Sequence, residues 1–147
     1  MTDATRADLI ARLKSDEGTG PLHGDRFMPY TDSVGVLTVG WGRAIGRIGI
    51  STAEAEVLLA NDVERAIADL DFAMSWWKGL DEVRQLVLVE LRFQLGLDGL
   101  LDFHKMRDAL RSEQYGHAAD ELLDSLLAKQ APNRIKRLAA MLRTGMM

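Results

Sequence analysis

Two acids in different surroundings, Glu17 and Asp32, are the residues of this sequence best equipped to break a covalent bond. Glu17 closes a segment in which Ile10 and Leu13 fall one helical turn apart, with Glu17 a further turn along the same stripe. Partial desolvation on that stripe and the negative pole of a helix C-terminus both disfavour a charged side chain there. A glutamic acid that keeps its proton can give it to a leaving oxygen. Asp32 lies in a polar turn between strand-forming residues, where an ionised carboxylate is expected. A proton-donating acid and an ionised acid facing one another are the equipment for hydrolysing a glycosidic bond. Thr38 follows Asp32 by six residues, on the strand that the turn feeds, and its hydroxyl is placed to orient a water. Taken singly, each has an ordinary structural reading: a solvated helix-end Glu, a turn-capping Asp and a strand Thr.

Other chemistries are excluded by what the chain lacks. With no cysteine there is no disulfide framework, thiol nucleophile or thiolate metal site. His23, His104 and His117 have no metal-ligand spacing, so no metal and no cofactor is expected. There is no G-x-S-x-G elbow. Gly40-Trp41-Gly42-Arg43-Ala44-Ile45-Gly46 is one residue too long for the dinucleotide fingerprint and lacks its strand-to-helix setting.

The elements that must position Glu17 and Asp32 can be read from turn formers and periodicity. Of the 13 glycines, eight fall between Gly18 and Gly49, with two of the three prolines. The pattern predicts a helix from about Asp3 to Asp16, a Gly-rich β-containing segment to Gly49, and helices from there to the end. Tyr30 to Gly40 reads as strand, turn, strand. Ser51-Thr52-Ala53-Glu54 is a capping box opening a long helix whose stripe is Leu59, Val63, Ala66 and Leu70. Residues 82–95 are apolar almost all round and predict a central buried helix broken by Gly96 and Gly99. Helices follow near 101–112, 116–127 and 132–143, the last with Pro132 at its first turn and Gly145 beyond its end. The fold class is therefore α+β. A small β-containing lobe is joined by a long helix to a larger helical lobe, with a ligand cleft expected between lobes.

The chain has 147 residues, enough for one domain, and its 47% hydrophobic and 27% charged residues suit a globular fold. The longest apolar runs are a few residues, so membrane insertion is not expected. Its net charge of −4 divides unevenly. Residues 129–147 carry five bases and no acid, which leaves residues 1–128 at −9. A basic C-terminal helix can meet an anionic polymer at one face or simply balance the acidic body.

The wording of these segments resembles the bacteriophage lysozymes of glycoside hydrolase family 24. The likeness runs from Glu17-Gly18 through Tyr30-x-Asp32-x-x-Gly35-x-x-Thr38-x-Gly40-x-Gly42. It continues with Asn61-Asp62-Val63, Phe93-Gln94-Leu95-Gly96, Pro132-Asn133-Arg134 and Arg143-Thr144-Gly145, in the family's order over nearly the whole chain. The resemblance implies an inverting muramidase and a single lysozyme-like domain over 1–147, its β-containing lobe roughly residues 14–58, its helical lobe 1–13 plus 75–147, and its connecting helix 52–74. Its substrate would be the β-1,4 bond between N-acetylmuramic acid and N-acetylglucosamine of peptidoglycan. By motif, Glu17 would be the general acid, Asp32 the base or electrostatic partner, and Thr38 a holder of the attacking water. Arg134 would pair with Glu17, Phe93 and Gln94 would line the cleft, and Ala44 and Met106 would reach the sugar by alignment position. Arg43 and Asp62 would form a lobe-bridging ion pair whose cation does not titrate near neutral pH.

Three features depart from the family's best-known member. Fourteen residues separate Glu17 from Asp32 where that protein has eight. The extra stretch, about Thr19 to Phe27, is expected to be a loop, and Asp25 within it competes for the role of second carboxylate. Glu90 stands on the apolar helix and needs a partner, Arg92 or Arg134, or a proton. The acidic balance gives weak long-range attraction to an anionic wall. The resemblance implies a monomeric phage endolysin with no nucleic-acid partner. Without a signal segment, it would accumulate in the host cytoplasm and reach the wall through a separate holin-like pore. The alternatives are a lytic transglycosylase acting through Glu17 alone and an inactive lysozyme-fold protein that binds murein.

Overall fold

In the computed structural model, which describes residues 1–147, the Thr2 hydroxyl accepts from the Thr5 amide at 3.2 Å and opens helix α1, Asp3–Glu17. Glu17 is the last helical residue, and Gly18 leaves the helix at φ 67°. The chain then divides into two compact units, Met1–Glu56 and Val57–Met147. All of α1 belongs to the first unit. Its stripe residues Ile10 and Leu13 are exposed, and α1 buries no side chain.

Within the first unit the expected loop after Gly18 is instead an antiparallel hairpin, β1 (Leu22–His23) and β2 (Arg26–Phe27). Its two-residue turn is Gly24-Asp25, and Gly24 takes a φ of 62° that glycine adopts without penalty. The strand–turn–strand expected over 30–40 is present. Strand β3 (Tyr30–Thr31) pairs with β4 (Leu37–Thr38), Tyr30 opposite Thr38. A short helix, α2 (Ile45–Ile48), follows.

Helix α3, Thr52–Ala73, begins at the predicted capping box. The Ser51 amide donates to Glu54 Oε2 at 2.7 Å, and the Glu54 amide donates back to Ser51 Oγ at 3.3 Å. After a 3₁₀ turn at Ser75–Gly79 come α4 (Glu82–Leu101), α5 (His104–Arg111), α6 (Tyr115–Leu123), α7 (Leu126–Gln130) and α8 (Pro132–Thr144). Gly96 kinks α4 at φ 74°, as its position predicted. The helix expected over 116–127 is two, because the Ser125 hydroxyl caps a new start by accepting from the Ala128 amide. Leu70, Leu88, Leu91, Leu100, Leu110, Leu122, Ile135, Leu138 and Leu142 form the second unit's core. The α+β class is the one expected, and no helix is long and apolar enough to cross a membrane.

Helix α4 is less uniformly apolar than it reads, because Arg84 is among its buried residues, 8% exposed. Its Nε donates to the Leu142 carbonyl at 2.7 Å and Nη2 to the Arg143 carbonyl at 3.3 Å. Nη1 meets Asp81 Oδ2 at 2.5 Å, and the guanidinium lies 3.5 Å from the Tyr115 ring centroid. The last turn of α8 has no helical donors for these carbonyls, so the guanidinium fork caps it from outside. Burial opposes ionisation of Asp81, but hydrogen bonds from Arg84 outweigh it and hold the carboxyl below its ordinary value. A depressed folded-state value stabilises above the unfolded one and is lost as pH falls through the folded value. Arg84→Ala is therefore expected to cost about 3–5 kcal/mol, since it strands buried carbonyls and removes a packed cation. Urea unfolding followed by tryptophan fluorescence checks this, and a loss within 0.5 kcal/mol of zero would contradict the capping role.

Candidate active site

Glu17 and Asp32 are both in the first unit, held there by different means. Glu17 is exposed, so the partial burial expected for it is absent. Nothing covers the α1 stripe within the first unit, which is the physical reason. One group does crowd the carboxyl. A Cβ built on Gly42 would stand 2.5 Å from Glu17 Oε2, so the carboxyl packs against bare backbone.

Asp32 is half-buried and caps its own turn. Its Oδ1 accepts from the Val34 amide at 3.0 Å and the Val36 amide at 2.8 Å. The Asp32 amide donates to the Val36 carbonyl at 2.9 Å, and Gly35 completes the turn at φ 82°. Both turn amides use Oδ1, which leaves Oδ2 as the acceptor available to a water. Thr38 is buried, 3% exposed, and its Oγ1 donates to the same Val36 carbonyl at 3.1 Å. Its hydroxyl proton is thus committed to the Asp32 turn, and only its lone pairs remain for a water. Asp25 is exposed in the β1–β2 turn.

Arg43 is engaged inside the first unit. Its guanidinium grips Glu54, with Nη1–Oε1 at 2.6 Å and Nη2–Oε2 at 2.9 Å, and also donates to the Gly49 carbonyl. Asp62, in the second unit, has Arg65 one turn along α3 at 3.4 Å. Glu54 is fixed beside Arg43 by its capping bonds to Ser51, and those bonds, followed by Arg43, hold the Glu54 carboxyl below its ordinary value. Ala44 is half-buried at the start of α2 and offers its carbonyl to the amides of Arg47 and Ile48.

The remaining expected residues are in the second unit. Phe93, 47% exposed, and Arg134 line one hollow of about 520 Å³ together with Leu59, Val63, Glu90 and Arg137. Glu90 pairs with Arg137 at 3.0 Å and with neither expected arginine, since Arg92 is taken by Asp69. Gln94 is half-buried with its Oε1 enclosed. Met106 is 1% exposed, packed into the core from α5 beneath a hollow lined also by Phe103, His104 and Glu121.

Sequence reasoning did not single out Lys14, Phe27 or Trp41. The Phe27 and Trp41 rings stand edge to face with centroids 4.7 Å apart, and Lys14 Nζ is 4.3 Å from the centroid of Trp41. The signal was the tryptophan between Gly40 and Gly42, a position that the nucleotide motif and the family string both leave unspecified.

The phage lysozyme family model matches residues 21–139, a span that takes in Asp32, Thr38 and Arg134 and begins just past Glu17. The chain is 25% identical to "Probable T4-type lysozyme 1" of Dictyostelium discoideum, covering 90% of this chain and 92% of that one. It is 26% identical to "Probable T4-type lysozyme 2" of the same organism, over 95% of each. It is also 24% identical to the "Pre-baseplate central spike protein Gp5" of Enterobacteria phage T4, where 97% of this chain matches 29% of the longer protein. Because the family model takes in well over half of its residues, the chain belongs to the phage lysozyme family and is a lysozyme-like glycan-cleaving glycosidase.

Proposed function

We propose that this protein is a muramidase that hydrolyses the β-1,4 bond between N-acetylmuramic acid and N-acetylglucosamine of peptidoglycan with inversion. Glu17 donates the proton to the leaving oxygen, and Asp32 draws a proton from the attacking water through Oδ2 or stabilises the developing positive charge. The observation that most supports the reading is Asp32 itself. Its Oδ1 is fixed by two turn amides, so the orientation of the second oxygen is set before substrate arrives. Thr38 reinforces that turn from the Val36 carbonyl. Arg134 and Phe93, on one hollow of the second unit, offer a cation and an apolar face to an anionic glycan. In its setting the protein is a phage or prophage endolysin, made in the host cytoplasm, that needs a separate pore to reach the wall.

Digestion of purified murein tests the reaction. Hydrolysis gives reducing muramyl ends one water heavier than the anhydro-muramyl ends of a transglycosylase, and an inverting enzyme releases the α-anomer first. Anhydro products would transfer the reaction to Glu17 alone. Binding without cleavage would identify a protein that has lost activity.

A further inference from the structure

The segment 39–43 closes on itself, with the Val39 amide donating to the Arg43 carbonyl at 2.9 Å and the Arg43 amide to the Val39 carbonyl at 3.1 Å. Trp41 is at its tip and Gly42 faces Glu17, where a Cβ would fall 2.5 Å from Oε2 and 2.9 Å from Cδ. The Gly42 amide is used by the Gly40 carbonyl at 3.0 Å, so the contact with Glu17 is one of shape and not a hydrogen bond. Trp41 is held by two elements. Lys14, three residues before Glu17 on α1, sets its ammonium over the ring, and Phe27 of β2 meets the ring edge to face. Phe27 belongs to the hairpin that fills the lengthened stretch between Glu17 and Asp32.

We propose that Trp41 is a positioning residue for Glu17, its indole held between Lys14 and Phe27 so that the Gly42 backbone stays against the carboxyl. The inference rests on the reading of Glu17 as proton donor. An exposed glutamate samples several rotamers, and a backbone wall on one side removes those that would run through it. The extra hairpin then serves the acid by bracing the wall. Small errors in the placement of a reacting group are costly in rate, which is where the effect should appear.

The test compares kcat and KM on murein for the full chain carrying Trp41→Ala, Phe27→Ala, Gly42→Ala or Gly40→Ala, with the Glu17 side-chain carboxyl followed by ¹³C NMR. Gly40 and Gly42 have similar positive φ values, 63° and 73°, but a Cβ at Gly40 meets nothing within 4 Å. Gly40→Ala therefore shares the backbone strain without the collision. Trp41→Ala and Gly42→Ala are expected to lower kcat about tenfold at unchanged KM and to shift the Glu17 carboxyl resonance. Gly40→Ala should do neither, and Trp41→Phe should recover most of the rate. Unchanged kcat and resonance would overturn the proposal, as would a raised KM at wild-type kcat, which would make Trp41 a sugar-contacting residue. If Trp41→Ala does not fold, Phe27→Ala and Trp41→Phe decide the matter. A wild-type protein that leaves murein intact would refute the muramidase reading, while the resonance comparison would still decide how Glu17 is held.

Discussion

Glu17→Gln is expected to abolish clearing of outer-membrane-stripped Gram-negative cells, lowering the rate about 10²–10⁴-fold, the usual worth of a general acid. The amide matches the carboxyl in size, so it fits against the Gly42 backbone without forcing the loop. It has no acidic proton to give, and the departing sugar oxygen must leave as an alkoxide. Stability should stay within about 0.5 kcal/mol of wild type, because position 17 is exposed at a helix end and glutamine is a good helix former. Loss of lysis with an unchanged unfolding curve locates the defect in the chemistry. Lysis at the wild-type rate would remove Glu17 from its role, whatever the family of the chain.

The elements that place this acid were legible because their signals are local. The apolar spacing and Gly18 mark out α1 within one residue of its observed end, and the Ser51–Glu54 box starts α3 with the expected reciprocal bonds. The β1–β2 hairpin was missed because each strand has two residues, too few for alternation to register. Its Gly24-Asp25 turn was the available sign. Arg84 was hidden by its apolar neighbours, since the carbonyls it caps lie nearly sixty residues away in sequence. Pairings between charged groups were the least legible. The ring of candidates around Arg43 or Glu90 differs little in charge, and which one wins depends on geometry fixed elsewhere, by Ser51 in one case and by the approach of α8 in the other. For the candidate site, residue types and order pointed to Glu17, Asp32 and Thr38. The Trp41 brace arises only when α1, β2 and the loop at 39–43 come together.

The same logic separates the two possible roles of Asp32. Its Oδ1 satisfies the Val34 and Val36 amides, so the residue would matter to the turn even in a protein without activity. Asp32→Asn keeps an oxygen acceptor in that position and removes the charge, whereas Asp32→Ala removes both. If Asp32 works on the attacking water, Asp32→Asn should lose about 10²–10⁴-fold in murein hydrolysis while retaining the turn. Asp32→Ala should lose as much rate and in addition about 1 kcal/mol of stability, from amides left without their acceptor. Thermal unfolding beside product analysis distinguishes these outcomes. Full activity in Asp32→Asn with a destabilised Asp32→Ala would confine Asp32 to shaping the turn. The second carboxylate would then have to be sought at Asp25, and Asp25→Asn would be the variant that loses the rate. Because asparagine preserves shape and removes only ionisation, a large loss in Asp32→Asn would mean that the reaction needs the negative charge there as well as the fold that presents it.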